Sequence, residues 1–280
     1  PLLMGAICLG YGFYVKDLGQ AMGSDFVVAG HVLIYLTAIC IALFTTAATI
    51  IRQLINKYNN FYKWALPILG YLSGIFTIVS GIVLWQMGIY NPPYFVSGNV
   101  VRGIYLLFSS TSSDHFVAGH VLIGISLVCA SLICLVVSIV RQIQNTFTDK
   151  ERYKWAICVA VLGTIDILWG IAILCIAKEP AWIAPGFVLI GLGIICYSIL
   201  SKVLLLGMVW RKSNPLAKRV PLIPVLTALT CLFIGAFLFE AQLFNIAYFI
   251  PARVMIGLGA ICFTLFSIVS ILESGTSNSK

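Results

Sequence analysis

The sequence predicts an all-α fold: a polytopic transmembrane helical bundle built from tandem two-helix repeats, with about 8 helices present. Three observations predict it: seven long apolar runs, a charge content of only 9% beside 61% hydrophobic residues, and a motif that recurs at near-constant spacing. Soluble domains carry about 25% charge. Stretches 26–51, 65–87, 116–140, 183–201, 220–239 and 254–272 hold at most one charge each, and 156–177 holds only Asp166. A helix needs about 20 apolar residues to cross a bilayer core. Helices and closed barrels alone satisfy every backbone group in lipid. Barrel strands alternate polar and apolar residues, whereas these runs are apolar throughout.

Taken in order, the chain opens at Pro1 inside an apolar stretch that ends near Tyr14. A native chain starts with Met, so residue 1 is expected not to be the true start; no cleavable signal peptide is read. The repeat begins next. FVVAGHVLIYLTAIC (26–40), YFVSGNVV (94–101), FVAGHVLIGISLVC (116–129), IAPGFVLIGLGIIC (183–196) and FIPARVMIGLGAIC (249–262) align on one variable position: His31, Asn99, His120, Phe187 and Arg253. A valine follows each, and in the four long copies a cysteine stands nine residues on. Self-similarity at fixed spacing marks a repeated structural unit. The expected units are 26–93, 94–101 (truncated), 115–182, 183–248 and 249–272 (a half unit), within a single transmembrane domain, 1–280.

The variable positions are 68, 67 and 66 residues apart in three cases, but Asn99 and His120 are only 21 apart. One unit is therefore short by about 46 residues if the repeat holds. We expect a segment to be absent near 101/102, and about 10 helices if it is restored.

Eleven of the 17 basic residues fall in loops after the motif helices, from Arg52 to Lys63, Arg141 to Lys154 and Arg211 to Arg219. Cytoplasmic loops collect Lys and Arg. This places those loops and the C-terminus in the cytoplasm and the GH motifs in the periplasm, and it accounts for the net charge of +8 without nucleic acid. All nine cysteines lie in apolar runs, with no CxxC and no Cys/His ligand spacing, and read as packing residues.

The tandem FVAGHVL motif, CYSILSKVLLLGMVWRK (196–212), PLIPV (221–225) and YFIPARVMIGLGAICFTLFSIVSILESG (248–275) closely resemble the YhiM-type inner-membrane proteins of enteric bacteria. The resemblance covers essentially the whole chain. It implies about ten helices, with a further motif helix and its return where this sequence is short. It also implies a link to survival in acid and to envelope stress, and it carries over no catalytic residues.

Four ionisable residues lie in or at the edges of the spans. Counted from Trp155 and Arg211, Asp166 and Lys202 fall at similar depth near mid-membrane. A lone charge there costs at least about 2.5–3.5 kcal/mol, so they are candidates for an intramembrane polar pair or one polar pathway. Glu240 and Arg253 are candidates for an outer-face pair across a hairpin. His31 and His120 share a repeat position and are candidate pH sensors, since imidazole titrates near pH 6.5. The plainer reading is that each bonds a backbone carbonyl at its helix entry. His115, beside Asp114, reads as a solvated loop residue. No metal site, cofactor or enzymatic activity is expected: no HExxH, Walker loop, GxSxG or dinucleotide fingerprint appears.

The expected function is a channel or transporter for protons, ions or a small polar solute, with the outer histidines as gate or sensor. The alternative is a non-transporting stress sensor or scaffold. A polar cavity reaching Asp166 and Lys202 favours the first; a dry interior favours the second. The expected partners are the lipid bilayer and a small solute or ion. A homo-oligomer is compatible with such a bundle.

Overall fold

The computed structural model describes residues 2–22, 24–54, 59–89, 114–143, 146, 148–177, 180–209 and 222–277. Among these residues the chain forms eight α-helices: α1 Leu2–Met22, α2 Ser24–Leu54, α3 Asn60–Ile89, α4 Asp114–Ile143, α5 Asp149–Ile176, α6 Ile183–Val209, α7 Leu222–Ala241 and α8 Phe249–Ser277. Short 3-10 turns, Pro180–Trp182 and Ile246–Tyr248, lead into α6 and α8. Seven of the helices, all but α1, contain segments long and apolar enough to cross a membrane. The junction at 101/102 lies outside the described residues.

Helices in lipid gain nothing from burying apolar surface against one another, so close backbone approach carries their association. Here the same close approach recurs in four antiparallel pairs. A Cβ placed on Gly12 of α1 would fall 3.1 Å from the Gly30 carbonyl oxygen of α2 and 2.7 Å from Ile34 N. Gly81 of α3 stands 3.2 Å from Gly119 O and 3.1 Å from Ile123 N of α4 on the same measure. Gly170 of α5 meets Gly186 O at 2.6 Å and Ile190 N at 3.0 Å on α6, and Gly235 of α7 meets Ala252 O at 3.2 Å and Ile256 N at 3.0 Å on α8. Each contact joins a glycine to the small residue preceding the variable motif position and to the isoleucine three residues beyond that position. The small residue of the motif is thus a helix–helix seat. The tight pairs are α1–α2, α3–α4, α5–α6 and α7–α8, so each motif helix is sealed to the helix before it in the chain.

The motif helices also touch in sequence, α2 to α4 to α6 to α8. They run parallel, as Gly191 of α6 lies against Met255 and Leu258 of α8 and Gly124 of α4 against Leu189 and Leu192 of α6. The four motif starts therefore share one end of the bundle, the histidine end. Arg52, Arg141 and Lys154 share the other, the basic end. The core sits along this row: Ile125, Val128, Cys129, Leu192, Cys196 and Ile199 are fully buried. Hydroxyls within it bond their own helix, as Thr46 and Thr49 donate to the carbonyls of Ala42 and Thr45 at 2.7 Å. This satisfies them without a partner across the interface.

The α4–α5 connection is fixed by charge. The Thr148 backbone N–H donates to Glu151 Oε2 at 3.0 Å, and Arg141 Nη1 pairs with Glu151 Oε1 at 3.1 Å. That N–H first, and Arg141 after it, hold the Glu151 carboxyl below its ordinary value of 4.5. A lowered folded value contributes stability above the unfolded value and loses it as pH falls through the folded one. We expect amide exchange at 149–152 to rise as pH falls below about 4, and Glu151→Gln to remove that dependence.

Candidate functional site

The residue four positions beyond each sealing glycine stands beside the motif position of its partner helix. Lys16 lies against Gly30 and its charge acts on His31, Trp85 bonds His120, Leu174 lies against Gly186, next to Phe187 in the chain, and the Phe239 ring lies 5.5 Å from the Arg253 guanidinium. The slot is one geometry filled by four chemistries.

At His120 it is a locked neutral contact. Trp85 Nε1–H donates to His120 Nε2 at 3.3 Å. An indole nitrogen only donates, so Nε2 accepts and the ring proton sits on Nδ1, which lies 2.8 Å from Phe116 O. Trp169 stacks on the imidazole at 5.8 Å between centroids and 12°, while Phe116 and Trp182 meet it edge-on at 4.6 and 5.2 Å. A second proton would have to displace the indole N–H. His120 is a packing key, held by the carbonyl contact that the plainer sequence reading describes.

At His31 the lock is missing, because Lys16 stands where Trp85 stands in the other pair. His31 is 6% exposed, and its Nε2 has no hydrogen-bond partner among the described residues. Its ring lies 5.7 Å from that of His115, edge-on at 73°. Charge on Lys16 of α1 and on His115 of α4 acts on His31. His115 is not a solvated loop residue: it occupies the first turn of α4, half-buried, with Nδ1 unpartnered among the described residues. The structure thus brings His31 together with His115, and gives His31 and His120 different surroundings despite their equivalent positions.

The acidic and basic candidates are not paired. Arg253 Nη1 donates to Gln242 Oε1 and Phe249 O, both at 2.8 Å, and its guanidinium covers the Phe249 ring at 3.4 Å. Gln242 takes the place expected for Glu240, which lies exposed. The only ion pair among the described residues is Arg141–Glu151. Asp166 and Lys202 also differ in depth. The contacts Gly163–Gly193 and Gly170–Gly186 fix the α5–α6 register and set Asp166 level with Ile190. Lys202 is twelve residues further along α6, about 18 Å at 1.5 Å per residue. By the same register it is level with Lys154, because α6 runs on beyond the start of α5; distance from a helix exit was therefore a misleading ruler. Asp166 faces Gly124 and Cys196, while Lys202 faces Cys262 of α8 and reaches Ser198 O at 3.5 Å. They are 1% and 2% exposed. A cleft of about 170 Å³ between α2, α3 and α4, lined by Thr45, Trp64, Tyr71 and Leu132 among others, touches neither. Among the described residues no three His, Cys, Asp or Glu side chains converge as metal ligands.

A helical bundle with seven apolar spans, sealed by glycine contacts, is a multi-pass membrane protein. The chain belongs to the family described as a protein of unknown function, DUF2776, whose model matches residues 1–109 and 101–277. It is 42% identical to the inner membrane protein YhiM of Escherichia coli (strain K12) over 339 aligned positions, which cover 99% of this chain and 96% of that protein. The aligned length exceeds the 280 residues here, so YhiM carries residues without a counterpart in this chain. No solved structure matches. The chain is a multi-pass inner-membrane protein.

Proposed function

We propose that this protein is a non-transporting, acid-responsive sensor or scaffold of the inner membrane, and that its switch is the His31–His115 contact. The single observation behind this reading is that the Lys16/His31 slot, alone of the four, joins two titratable groups and has a third, His115, at its edge. The positive-inside bias puts this end in the periplasm, where acid arrives first. Two imidazolium charges 5.7 Å apart repel by about 3 kcal/mol at an effective dielectric of about 20. Screening reduces this at half-buried His115, and Lys16 adds to it. Protonation therefore favours an arrangement in which α2 moves away from α4, a shift set by the differential proton affinity of the two states.

Transport of protons, ions or a small polar solute is the second reading. It is favoured by the buried Asp166, whose Oδ2 has no partner among the described residues; the deep burial of both Asp166 and Lys202 weighs against it. Proteoliposome flux at pH 5 and pH 7 separates the two. The sensor reading expects leak equal to that of protein-free vesicles at both values. Flux above that level, lost in the His31→Gln/His115→Gln double variant, would replace it with a gated pathway.

A further inference from the structure

The hairpin that joins α7 to α8 turns large apolar side chains outward at the histidine end. Leu243, Phe244 and Ile246 are 80%, 93% and 77% exposed. Apolar surface of this size is costly in water and costs nothing in lipid. The flanking spans are Leu222–Ala241 and Ile246–Phe263, which sets the turn at the boundary of headgroups and acyl chains. Arg253 belongs to the same hairpin and is held in one geometry. Its Nη1 donates to Gln242 Oε1 and to Phe249 O, both at 2.8 Å. The Phe249 ring lies 3.4 Å beneath the guanidinium and the Phe239 ring 5.5 Å from it. Helical side chains lean towards the N-terminus, and this one reaches back a full turn, so its charge lies level with the hairpin and not with its own Cα. A guanidinium donates from Nε and from both Nη nitrogens. Both bonds here use Nη1, so the Nε/Nη2 edge has no partner among the described residues. Glu240 is the one carboxylate in 240–253, and it makes no ion pair with Arg253 among those residues. Such an edge is the planar fork that binds two oxygens of one phosphate.

We propose that Arg253 is a lipid headgroup site: its Nε/Nη2 edge holds the phosphodiester of a phospholipid in the leaflet at the histidine end. The acyl chains of that lipid lie along Leu243, Phe244 and Ile246. Gln242 and the two phenylalanine rings fix the guanidinium before the lipid arrives, which lowers the ordering cost of binding. A free phosphate offers the same oxygens but leaves the apolar side chains uncovered, whereas a phospholipid satisfies both. Arginine stays charged throughout the range in which histidine titrates, so the site works independently of the acid response.

The test uses the full chain purified in detergent and titrated with phosphatidylglycerol that carries a photoreactive diazirine on its acyl chain. Crosslinks to the segment 243–250 are counted by mass spectrometry after illumination. The expected result is saturable labelling of that segment, with the half-saturating concentration raised about tenfold in Arg253→Gln by loss of the charged hydrogen bonds. Arg253→Lys keeps the charge and serves where the glutamine variant does not fold; a point charge does not reproduce the fork, so half-saturation should still rise about threefold. Diazirine-labelled diacylglycerol, which lacks the phosphate, should label wild type and both variants alike. Glycerol phosphate at the same concentration should displace no lipid. Equal half-saturation by phosphatidylglycerol in wild type and both variants would overturn the proposal. Displacement by glycerol phosphate would replace the lipid with a soluble phosphate anion.

Discussion

Replacement of Gly170 by leucine is expected to be among the most damaging single changes in the bundle. A Cβ at this position already falls 2.6 Å from the Gly186 carbonyl oxygen and 2.9 Å from Ile190 Cγ1. Ile190 N follows at 3.0 Å; it and Gly186 O are backbone, so rotamer changes cannot make room and α5 must move away from α6. Overpacking of a well-filled core costs about 3 kcal/mol at the upper end of its usual range. For a chain of this size that lowers the melting temperature by about 6–10 °C. Gly257 supplies the control: it lies on α8 with nothing within 4 Å of a Cβ. Gly257→Leu should melt within about 2 °C of wild type. Thermal unfolding of the two variants in the same detergent checks the pair, and equal melting temperatures would remove the glycine seats from the explanation of the fold.

His120→Ala should cost a similar amount for a different reason. The imidazole is 3% exposed and fills a box made by Trp85, Phe116, Trp169 and Trp182. Truncation leaves a cavity, worth about 3 kcal/mol for a large buried ring. It also strips the Trp85 indole N–H of its acceptor, about 1 kcal/mol or more. Because both ring nitrogens are engaged in the neutral tautomer, the loss should be the same at pH 7.5 and pH 5. His31→Gln should behave in the opposite way, with little effect at pH 7.5 and a reduced response to acid. Melting curves of both variants at the two pH values distinguish them. A His120→Ala defect confined to one pH would return His120 to the sensor.

The helices were legible because lipid imposes a simple rule on composition: the seven apolar runs coincide with the seven spans to within a few residues, apart from the last, where the described span ends at Phe263. The GH motif recurs in the sequence, and the small residue before its variable position is a contact surface in the structure. What the motif does at each copy was not legible, because the answer lies on another helix. Lys16 and Trp85 are remote in sequence from His31 and His120, and only the glycine register shows that they occupy equivalent places. A search for residues four positions beyond each return-helix glycine would have found them. His115 was misplaced because DH before an apolar run looks like a loop, whereas α4 begins at Asp114. Asp166 and Lys202 were set at one depth by counting from helix exits, which are staggered. Arg253 found an amide and two aromatic rings in place of Glu240, since a guanidinium at a helix start accepts either kind of neighbour.

We propose that acid separates α2 from α4 at the histidine end. The glycine seats make α1 move with α2 and α3 with α4, so exposed positions on α1 and α3 report that separation. Spin labels on Asp17→Cys and Ile82→Cys, measured in nanodiscs at pH 7.5 and pH 5, test it most directly. The predicted result is a mean distance longer by about 2 Å at pH 5, the usual scale of a helix shift, and no change in the His31→Gln/His115→Gln background. Identical distance distributions at the two pH values in the wild-type background would contradict it.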